Sequence, residues 1–310
     1  MLQEIKKSCE YVAKNSKFVN IDESKLINLV NSISNIEMNH WLSSSPFGLL
    51  DLDIDKIVNF LLIYESINFS FWGNPKWEVN TPNGKLDGSI ALLYSLLKYS
   101  KENNTTNFSN ISSDDFAYIL KGNIKIPLFE ERFQIVKKVS DIVNEKMNGD
   151  FYKYIKDIKT DKELFSLIIS NFDNFKDERT YDGQAVYLYK LAQLLVSDIL
   201  YVRKVKENIE VDCTNLVGCA DYKIPQVLRA MGIFVYNEEL SNIVDNNVNI
   251  KQNSKYEVEI RANMINVICK LGKLLNDKYS LIQINDYIFM EKNNKSLALR
   301  PYHLTRNINY

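Results

Sequence analysis

Helix-breaking residues are scarce in this chain, which holds only 10 glycines and 6 prolines among 310 residues. Because apolar residues also recur at 3.6-residue spacing over long stretches, the sequence predicts a mainly α-helical protein. A hydrophobic content of 45% is enough to bury a substantial core and excludes a disordered chain. The exception is residues 69–87, where the runs Phe-Ser-Phe-Trp at 69–72 and Lys-Trp-Glu-Val at 76–79 and an Asn83-Gly84 turn predict two or three short strands with a small β-hairpin.

Metal ligands and cofactor-binding loops are also few. His40 and His303 are the only histidines, which excludes a metal site or a catalytic triad built on several histidines. Neither G-x-G-x-x-G nor G-x-x-x-x-G-K-[ST] occurs, so we expect no cofactor. The cysteines are scattered without a C-x-x-C spacing, which indicates reduced thiols of a cytosolic protein and not a zinc site: Cys9, Cys213, Cys219 and Cys269.

Neither sign of charge dominates. The 38 basic residues and 39 acidic residues leave a net charge of −1, without the basic surplus typical of proteins that bind DNA or tRNA. We therefore expect no stable nucleic-acid partner, although a small anion can still be recognised locally. No apolar stretch approaches the roughly 18 residues of a membrane span, and the first residues lack a secretory signal. The sequence predicts a cytoplasmic protein without membrane association, and it does not indicate the oligomeric state.

Start and stop signals divide the chain into helices joined by short loops. Ser254 and Glu257 form an S-x-x-E capping box, and the loops at 100–113 and 245–254 are too short to link separate domains. We therefore predict a single compact multi-helix domain over residues 1–310. The predicted helices cover about 22–34, 53–64, 88–101, 113–120, 129–147, 161–171, 182–204, 225–231, 237–245 and 254–276.

Among the polar residues, Asp221 has the most informative setting, in the segment Cys-Ala-Asp-Tyr-Lys-Ile-Pro at 219–225. Proline suits the first turn of a helix and pushes the preceding residue towards an extended conformation, so Pro225 predicts a helix start with Asp221 on the loop before it. A carboxylate on such a loop can serve catalysis. It can equally accept hydrogen bonds from the free N–H groups of the following turn.

This segment resembles the Ala-Asp-Tyr-Arg-hydrophobic-Pro-Gln signature of the queuosine salvage family, the queuosine 5′-phosphate N-glycosylase/hydrolases, with Lys223 in place of the usual arginine. Further stretches resemble motifs of that family in the same order along nearly the whole chain. They are Asn-Phe-Ser-Phe-Trp at 68–72, Pro127-Leu128 with Glu130-Glu131-Arg132, Tyr-Lys-Leu-Ala-Gln at 189–193, Glu-Val-Glu-Ile-Arg at 257–261, and the segment 301–310.

The resemblance implies a hydrolase that cleaves queuosine 5′-monophosphate into queuine and ribose 5-phosphate. It also implies a helical fold similar to that of the helix-hairpin-helix DNA glycosylases, which does not require a DNA substrate. Two other functions stay open: a glycosylase that acts on a base within a nucleic acid, and a non-catalytic protein that binds a deazapurine nucleotide. The neutral charge disfavours the first, and the pairing of Asp221 with Lys190 disfavours the second.

By resemblance, catalysis falls to Asp221 and Lys190. An aspartate beside C1′ of the ribose can stabilise the oxocarbenium ion that develops as the base leaves, and it can orient the attacking water. Lys190 is predicted on a helix face with Gln193 and Ser197, where it can contact Asp221 or the ribose phosphate. The alternative is a solvated lysine on the helix surface, which is the usual location of this residue.

Base recognition is expected from Asp286, Tyr287 and Glu291, which resemble a family segment that we take to contact the nucleobase. Carboxylates can accept hydrogen bonds from the guanine-like N1–H and 2-amino groups and from the amine of the cyclopentenediol arm. Asp286 is equally compatible with an ordinary carboxylate in a strand or at a helix end. Phe71 and Trp72 can stack on the base, although aromatic residues are more often part of a core.

Four further positions complete the predicted substrate site: Cys219, Lys223, His303 and Arg306. Cys219 stands where the family usually has an aromatic residue, so less area is available there for packing on the substrate. His303 and Arg306 in the last motif can bind the 5′-phosphate together with Arg300. Alternatively, the last residues dock across the core as structural closure, and the phosphate binds at the helix N-terminus near Pro225.

Overall fold

The computed structural model describes residues 1–210 and 213–310, and it is mainly α-helical, as predicted. Its α-helices are α1 (Leu2–Asn15), α2 (Glu23–Ile33), α3 (Ile54–Ser66), α4 (Gly88–Asn103), α5 (Ser113–Ile119), α6 (Phe129–Lys146), α7 (Phe151–Ile155), α8 (Asp161–Asn171), α9 (Lys190–Glu207), α10 (Lys223–Ala230), α11 (Glu238–Asp245), α12 (Lys255–Leu274) and α13 (Leu281–Met290). Short 3₁₀ helices occupy Trp41–Ser44, Pro46–Asp51, Asp173–Phe175 and Glu291–Asn293.

The strands are short and pair only two by two within the described residues. They are β1 (Val19–Ile21), β2 (Glu78–Thr81), β3 (Gly84–Asp87), β4 (Glu178–Tyr181), β5 (Gln184–Tyr187) and β6 (Phe234–Tyr236). β2 and β3 form the predicted hairpin, with Val79 opposite Leu86. β4 and β5 form a second antiparallel hairpin, and β1 pairs antiparallel with β6.

The chain divides into two compact units, each built from separate stretches. The first unit contains Met1–Ser43, Asp177–Ser197 and residues 213–306, and the second contains Ser44–Lys176, residues 198–210 and Asn307–Tyr310. Helix α9 contributes its first turns to the first unit and its remaining turns to the second. The single domain predicted over residues 1–310 stays a prediction.

Helix α12 is the central element of the first unit. It contacts α1, α2, α10 and α13, and its residues 257–265 are all buried. Glu257, Glu259 and Arg261 belong to this buried stretch, so their polar groups must find partners inside the protein. Glu259 does so by accepting the successive N–H groups of residues 17–19 at 2.7 to 3.2 Å.

Helix α3 occupies the corresponding position in the second unit, where it contacts α4, α6 and α7. The last residues of the chain belong to this unit and are anchored on Ser70. The hydroxyl of Ser70 donates to the carbonyl of Asn307 at 2.7 Å, and its backbone N–H donates to the carbonyl of Tyr310 at 2.8 Å. The side chain of Tyr310 is buried. These contacts favour the alternative in which the last motif closes the structure.

Most predicted helices lie close to the observed ones, because local capping chemistry marks their ends. Asp22 accepts the N–H groups of Ser24 and Lys25 at 2.9 and 3.2 Å and begins α2 as predicted. The sequence analysis did not assign α1, α7 or α13, although Ser280 and Gln283 form a reciprocal capping box at the start of α13. None of the helices in the described ranges is long and apolar enough to cross a membrane.

Residues 182–189 and 69–72 do not have the predicted secondary structure. The helix predicted from residue 182 begins only at Lys190, because β4 and β5 occupy the preceding stretch. Their turn is Asp182-Gly183, and both residues have positive φ (47° and 80°), which an Asp-Gly pair adopts readily. Residues 69–72 form no strand, because Ser70 takes a left-handed conformation (φ 43°) to meet the end of the chain.

Candidate active site

The loop at 217–221, which leads to Asp221, is fixed through its backbone by buried side chains from three helices. The Gln193 amide of α9 accepts the N–H of Val217 at 2.8 Å and donates to the carbonyl of Gly218 at 2.9 Å. Asn285 of α13 accepts the N–H of Cys219 at 2.8 Å. Arg261 of α12 donates from Nε to the carbonyl of Ala220 at 2.8 Å. The loop is therefore irregular but held at four consecutive residues.

Asp221 lies directly after these four residues and outside the following helix, as predicted. Its Oδ1 accepts the N–H groups of Lys223 and Ile224, both at 2.9 Å, so the capping alternative is present in the structure. Oδ2 makes no hydrogen bond to any residue in the described part of the chain, and the residue is only 8% exposed. One oxygen thus orients the carboxylate while the other stays available for chemistry. Capping and catalysis are compatible at Asp221.

Helix α10 begins at Lys223, two residues earlier than predicted, and Pro225 occupies its first turn. This is sterically possible because the first N–H groups of a helix have no partner within it, so a proline there removes no hydrogen bond. The predicted extended conformation of Ile224 is therefore wrong. The earlier start places the two N–H groups of residues 223 and 224 within reach of the Asp221 carboxylate.

Lys190 begins α9 and is buried, with 6% of its surface exposed. The alternative of a solvated lysine is therefore wrong. Gln193 and Ser197 on the same helix are buried as well. Tyr189, just before Lys190, has a left-handed backbone (φ 48°), a costly conformation for a bulky residue that the surrounding structure must enforce. The backbone N–H of Lys190 donates to Oδ2 of Asp177 at 3.4 Å.

Asp177 belongs to a buried cluster of two carboxylates and two guanidinium groups, formed with Arg179, Glu257 and Arg261. Arg261 binds both oxygens of Asp177, at 3.1 and 2.5 Å. Burial raises the pKa of Asp177, but the two guanidinium groups outweigh it and leave that pKa below its ordinary value. The opposite charges balance in number, as a fully buried ionic cluster requires.

The hydrogen-bond partners of Glu257 differ from those of the predicted capping box. Ser254 caps α12 by accepting the N–H of Glu257 at 3.4 Å, but the Glu257 carboxylate accepts the N–H of Asn253 and not that of Ser254. Its remaining capacity goes to Arg179 and Arg261 in the ionic cluster. The structural role predicted for Glu257 is confirmed, with a different geometry.

A second buried polar group surrounds Asp286, which lies in the middle of α13 and not in a strand or at a helix end. Asn285 donates to Oδ1 of Asp286 at 3.1 Å, and Nε2 of His40 lies 3.8 Å from Oδ2. Burial raises the pKa of Asp286 to about 7, although hydrogen bonds from Asn285 and the N–H of Trp41 oppose this shift. A buried carboxyl that titrates near neutrality is a frequent feature of functional sites.

His40 was not among the predicted site residues. Its Nδ1 accepts the N–H of Leu42 at 3.2 Å, so the ring hydrogen of the neutral imidazole lies on Nε2, which contacts Ser197 Oγ at 3.2 Å. Burial lowers the pKa of His40 to about 3, so the ring is neutral near pH 7. Its rarity, one of two histidines in the chain, was the available signal.

Tyr287 and Glu291 follow Asp286 and are both partly exposed. Burial raises the pKa of the Tyr287 hydroxyl, and its hydrogen bond to the Glu291 carboxylate raises it further. Glu291 also accepts a hydrogen bond from the side chain of Asn294 at 2.7 Å. The two residues therefore form a pair in the last turn and at the C-cap of α13, and their contact with a base stays a prediction.

Next to Asp221, two cations adjoin two tyrosine rings. The Tyr222 and Tyr302 ring centroids lie 4.8 Å apart, and Nζ of Lys223 lies 4.2 Å from the centroid of Tyr302. Arg306 is exposed, and partial burial of its guanidinium lowers its pKa, which the two tyrosines oppose. A basic and aromatic surface of this kind suits a phosphate.

His303 has a different environment from its neighbours in the last motif. It is 1% exposed, and burial lowers its pKa to about 3, with the charge of Arg261 acting in the same direction. The imidazole is therefore neutral near pH 7. Arg300 is exposed and lies 3.7 Å from the Asp245 carboxylate. A phosphate contact from His303 stays a prediction, and it would have to be made by a neutral ring.

Phe71 and Trp72 belong to the second unit, where both are buried. The Phe71 ring is stacked on Trp77 with centroids 6.4 Å apart, and the Arg132 guanidinium lies 4.8 Å from the Phe71 centroid. These contacts are those of a core residue. Stacking of either ring on a base stays a prediction.

The first unit thus gathers a loop carboxylate, a buried lysine and a buried carboxyl that titrates near neutrality. Such groups are able to serve acid–base and electrostatic catalysis. Within residues 1–210 and 213–310, no group of three His, Cys, Asp or Glu side chains is arranged to hold a metal ion.

Comparison with known proteins gives the family. The model of the queuosine salvage protein family matches residues 50–310. A Sphaerobacter thermophilus protein named queuosine 5′-phosphate N-glycosylase/hydrolase is 31% identical over 266 residues, which cover 83% of this chain and 82% of that protein. A Bos taurus protein of the same name is 24% identical over 335 residues, with 98% of each chain covered. The chain belongs to the queuosine salvage protein family.

Proposed function

We propose that this protein hydrolyses the N-glycosidic bond of queuosine 5′-monophosphate and releases queuine for reuse in tRNA modification. Water supplies the hydroxyl that remains on C1′ of ribose 5-phosphate and the proton that the departing base gains. The observation that carries the proposal is the Asp221 carboxylate, which is oriented by one oxygen on a firmly held loop and has its other oxygen available. Membership of the queuosine salvage protein family supplies the substrate.

Asp221 acts on the positive charge that develops at C1′ and the ring oxygen as the base departs. A preoriented carboxylate stabilises this charge without having to reorganise during the reaction. The same oxygen can orient the attacking water and accept its proton. Because the 7-deazaguanine base lacks the N7 that ordinary purine glycosidases protonate, stabilisation of the ribosyl cation must carry a larger share of the rate enhancement. Lys190 serves as the second catalytic group and contacts Asp221 or the ribose phosphate.

The remaining residues bind the two ends of the substrate. Asp286, with Tyr287 and Glu291 beyond it, accepts hydrogen bonds from the base and from the amine of its cyclopentenediol arm. Cys219 is the candidate for packing on the base, whereas the burial of Phe71 and Trp72 in the second unit favours their alternative role as core residues. Lys223 and Arg306, with His303 as a neutral donor, hold the 5′-phosphate beside the tyrosine pair.

Several finer properties belong to the same proposal. We expect the protein to act in the cytoplasm, to use no cofactor, and to bind no nucleic acid stably, because its net charge of −1 offers no general attraction to a polyanion. The likeness to helix-hairpin-helix DNA glycosylases and the single domain over residues 1–310 are proposed on the family resemblance alone.

The test measures the release of free queuine by chromatography. Three substrates are compared: queuosine 5′-monophosphate, queuosine, and tRNA that contains queuosine. We expect the monophosphate to be preferred over the nucleoside by about tenfold to a hundredfold, as one charge-assisted contact provides, and the preference to shrink as salt rises. Release from intact tRNA would overturn the choice of a small-molecule substrate. Binding of the monophosphate without any release would instead identify a non-catalytic binding protein.

Two lysine variants locate the phosphate contact in the same assay. Lys223→Ala should lose most of the preference for the monophosphate. Lys14→Ala, which removes an exposed lysine of α1 that is paired with Glu10 in the same unit, should keep it. Equal loss in both variants would mean that the preference comes from general charge and not from a site at Lys223.

A further inference from the structure

The buried ionic cluster contacts both backbone segments that carry the catalytic candidates. On one side, Arg261 Nε donates to the carbonyl of Ala220, the residue directly before Asp221. On the other, the Asp177 carboxylate accepts the N–H of Lys190, and the Asp177 carbonyl accepts the N–H of Leu188 at 3.0 Å. Arg261 and Asp177 are themselves joined by two hydrogen bonds.

We infer that Arg261 is a positioning residue, which acts with Asp177 as a rigid brace between the Lys190 segment and the Asp221 segment. The inference rests on the proposed function for the roles of Lys190 and Asp221. Arg261 itself touches backbone and carboxylates, and it is 0% exposed, so it acts through the two segments and not on the substrate.

The chemistry of arginine suits this task. A guanidinium presents its N–H donors in a fixed planar fork, so two of them can hold both oxygens of Asp177 while Nε points at a third acceptor. The distances of 2.5, 2.8 and 3.1 Å correspond to all three bonds being made at once. Lysine has one nitrogen on a flexible stem and cannot hold this triangle, although it keeps the charge.

The backbone conformation next to Lys190 indicates that the contacts of the brace hold this segment in place. Tyr189 lies between Leu188 and Lys190 in a left-handed conformation, which costs free energy and persists only where surrounding contacts impose it. Gly218 in the opposite segment has φ 141°, and a Cβ there would lie 3.0 Å from Ile268 and 3.4 Å from Asn285. Residues 188–190 are thus held in a conformation that they would not adopt alone, and position 218 in the opposite segment requires glycine.

Arg179 provides a matched control. It is a buried arginine of the same cluster, bound to Asp177 at 3.0 Å and to Glu257 at 3.1 Å, and it also donates to the carbonyl of Glu178 in β4. Arg261→Lys and Arg179→Lys therefore perturb the same ionic cluster by the same chemical change. Only the first removes the donor to Ala220.

We expect Arg261→Lys to lower kcat for queuosine 5′-monophosphate by about tenfold to a hundredfold, with KM changed less than about threefold, because misplaced catalytic groups affect the reacting geometry. Arg179→Lys should keep both constants within about threefold of the wild type, even where its Tm falls equally. Equal kcat in the two variants, or a loss confined to KM, would overturn the brace. Should Arg261→Lys not fold, Asp177→Asn is measured against the same criteria.

A second readout does not depend on the reaction. In hydrogen–deuterium exchange, peptides covering 188–192 and 217–222 should both exchange faster in Arg261→Lys than in Arg179→Lys, because the brace joins them. Faster exchange in only one of the two segments would overturn the inference. A wild-type protein that releases no queuine would refute the proposed function, while this exchange result would still decide whether the brace exists.

Discussion

Two irregular buried segments, 217–221 in the first unit and 67–72 in the second, are both held by a buried arginine, but they present different groups. Arg261 donates to the carbonyl of Ala220, and Arg132 donates to the carbonyls of Ile67 and Phe69. Both arginines are 0% exposed. The first segment leads to a carboxylate with an available oxygen, whereas the second presents Phe71 to other side chains of its core. Rigidity of a loop is therefore no sign of function until the groups it presents are identified.

Replacing Asp221 by asparagine should produce the largest effect and would sharpen this contrast. We expect kcat to fall by about 10²–10⁴-fold, the range for a lost general acid or base, while Tm hardly changes because the amide oxygen can still accept the N–H groups of Lys223 and Ile224. Queuine release and thermal unfolding are the measurements. Asp221→Ala is the companion variant, since it also loses the cap, which costs about 1 kcal/mol. An Asn variant with near wild-type kcat would remove Asp221 from the mechanism.

Replacing Lys190 should produce the next largest effect. We expect Lys190→Ala to lower kcat by about 10²-fold if the ammonium supports Asp221, and to raise KM instead if it holds the phosphate. Lys206→Ala on the exposed side of the same helix is the control and should resemble the wild type. Steady-state kinetics of both variants decide between the roles, and wild-type constants for Lys190→Ala would exclude both.

Asp286 should show its contribution through pH. Its pKa of about 7 lies above the ordinary 3.8, so the stability it contributes is present at low pH and lost as pH rises from about 4 to about 7. The full shift corresponds to about 4 kcal/mol. The stability of Asp286→Asn relative to the wild type should therefore increase across this range in denaturant titrations. A difference that does not vary with pH would show that Asp286 does not titrate there.

The ionisation of Asp286 should also affect KM. If the base is bound by the ionised carboxylate, KM of the wild type should be about tenfold higher at pH 6 than at pH 8, because one unit below its pKa a group is about one-tenth ionised. Asp286→Asn should have a high KM that does not change between these pH values. A pH-dependent KM in the variant would assign the titration to another group.

Replacing Phe71 should produce the smallest effect. This variant also tests directly whether the segment 67–72 lacks a function. Because its ring is stacked on Trp77 and covered, Phe71→Leu should lower the free energy of unfolding by about 1 kcal/mol and leave KM unchanged. Phe60→Leu in the core of α3 is the control for a purely structural loss. If KM rises about tenfold at unchanged stability, Phe71 contacts the substrate and the second segment has a function as well.

The sequence predicted those features that depend on local chemistry. The helical class and the hairpin of β2 and β3 followed from composition, spacing and turn residues, and the start of α2 followed from its cap. The hairpin of β4 and β5 was missed because the apolar spacing after residue 184 continues that of α9, although Asp182-Gly183 is itself a turn signal. The sequence analysis gave the apolar spacing more weight than the Asp182-Gly183 turn signal.

The site residues divide in a similar way. Asp221 and Lys190 were identified by motif resemblance, and the burial of Lys190 agrees with a role inside a site. His40 lies far from Asp286 along the chain, and their approach depends on the packing of α13, which the sequence analysis did not assign. The ionic partners of Glu257 were missed because its short-range capping motif offered a sufficient local explanation.

The supports of the loop at 217–221 bind main-chain atoms, and this leaves its side chains open to change. Gln193, Asn285 and Arg261 contact N–H and C=O groups that every residue type except proline provides. A cysteine at position 219, where the family resemblance predicts an aromatic residue, therefore leaves the path of the chain to Asp221 unchanged. Position 219 can therefore take different side chains beside the Asp221 carboxylate, while the backbone that positions this carboxylate stays the same.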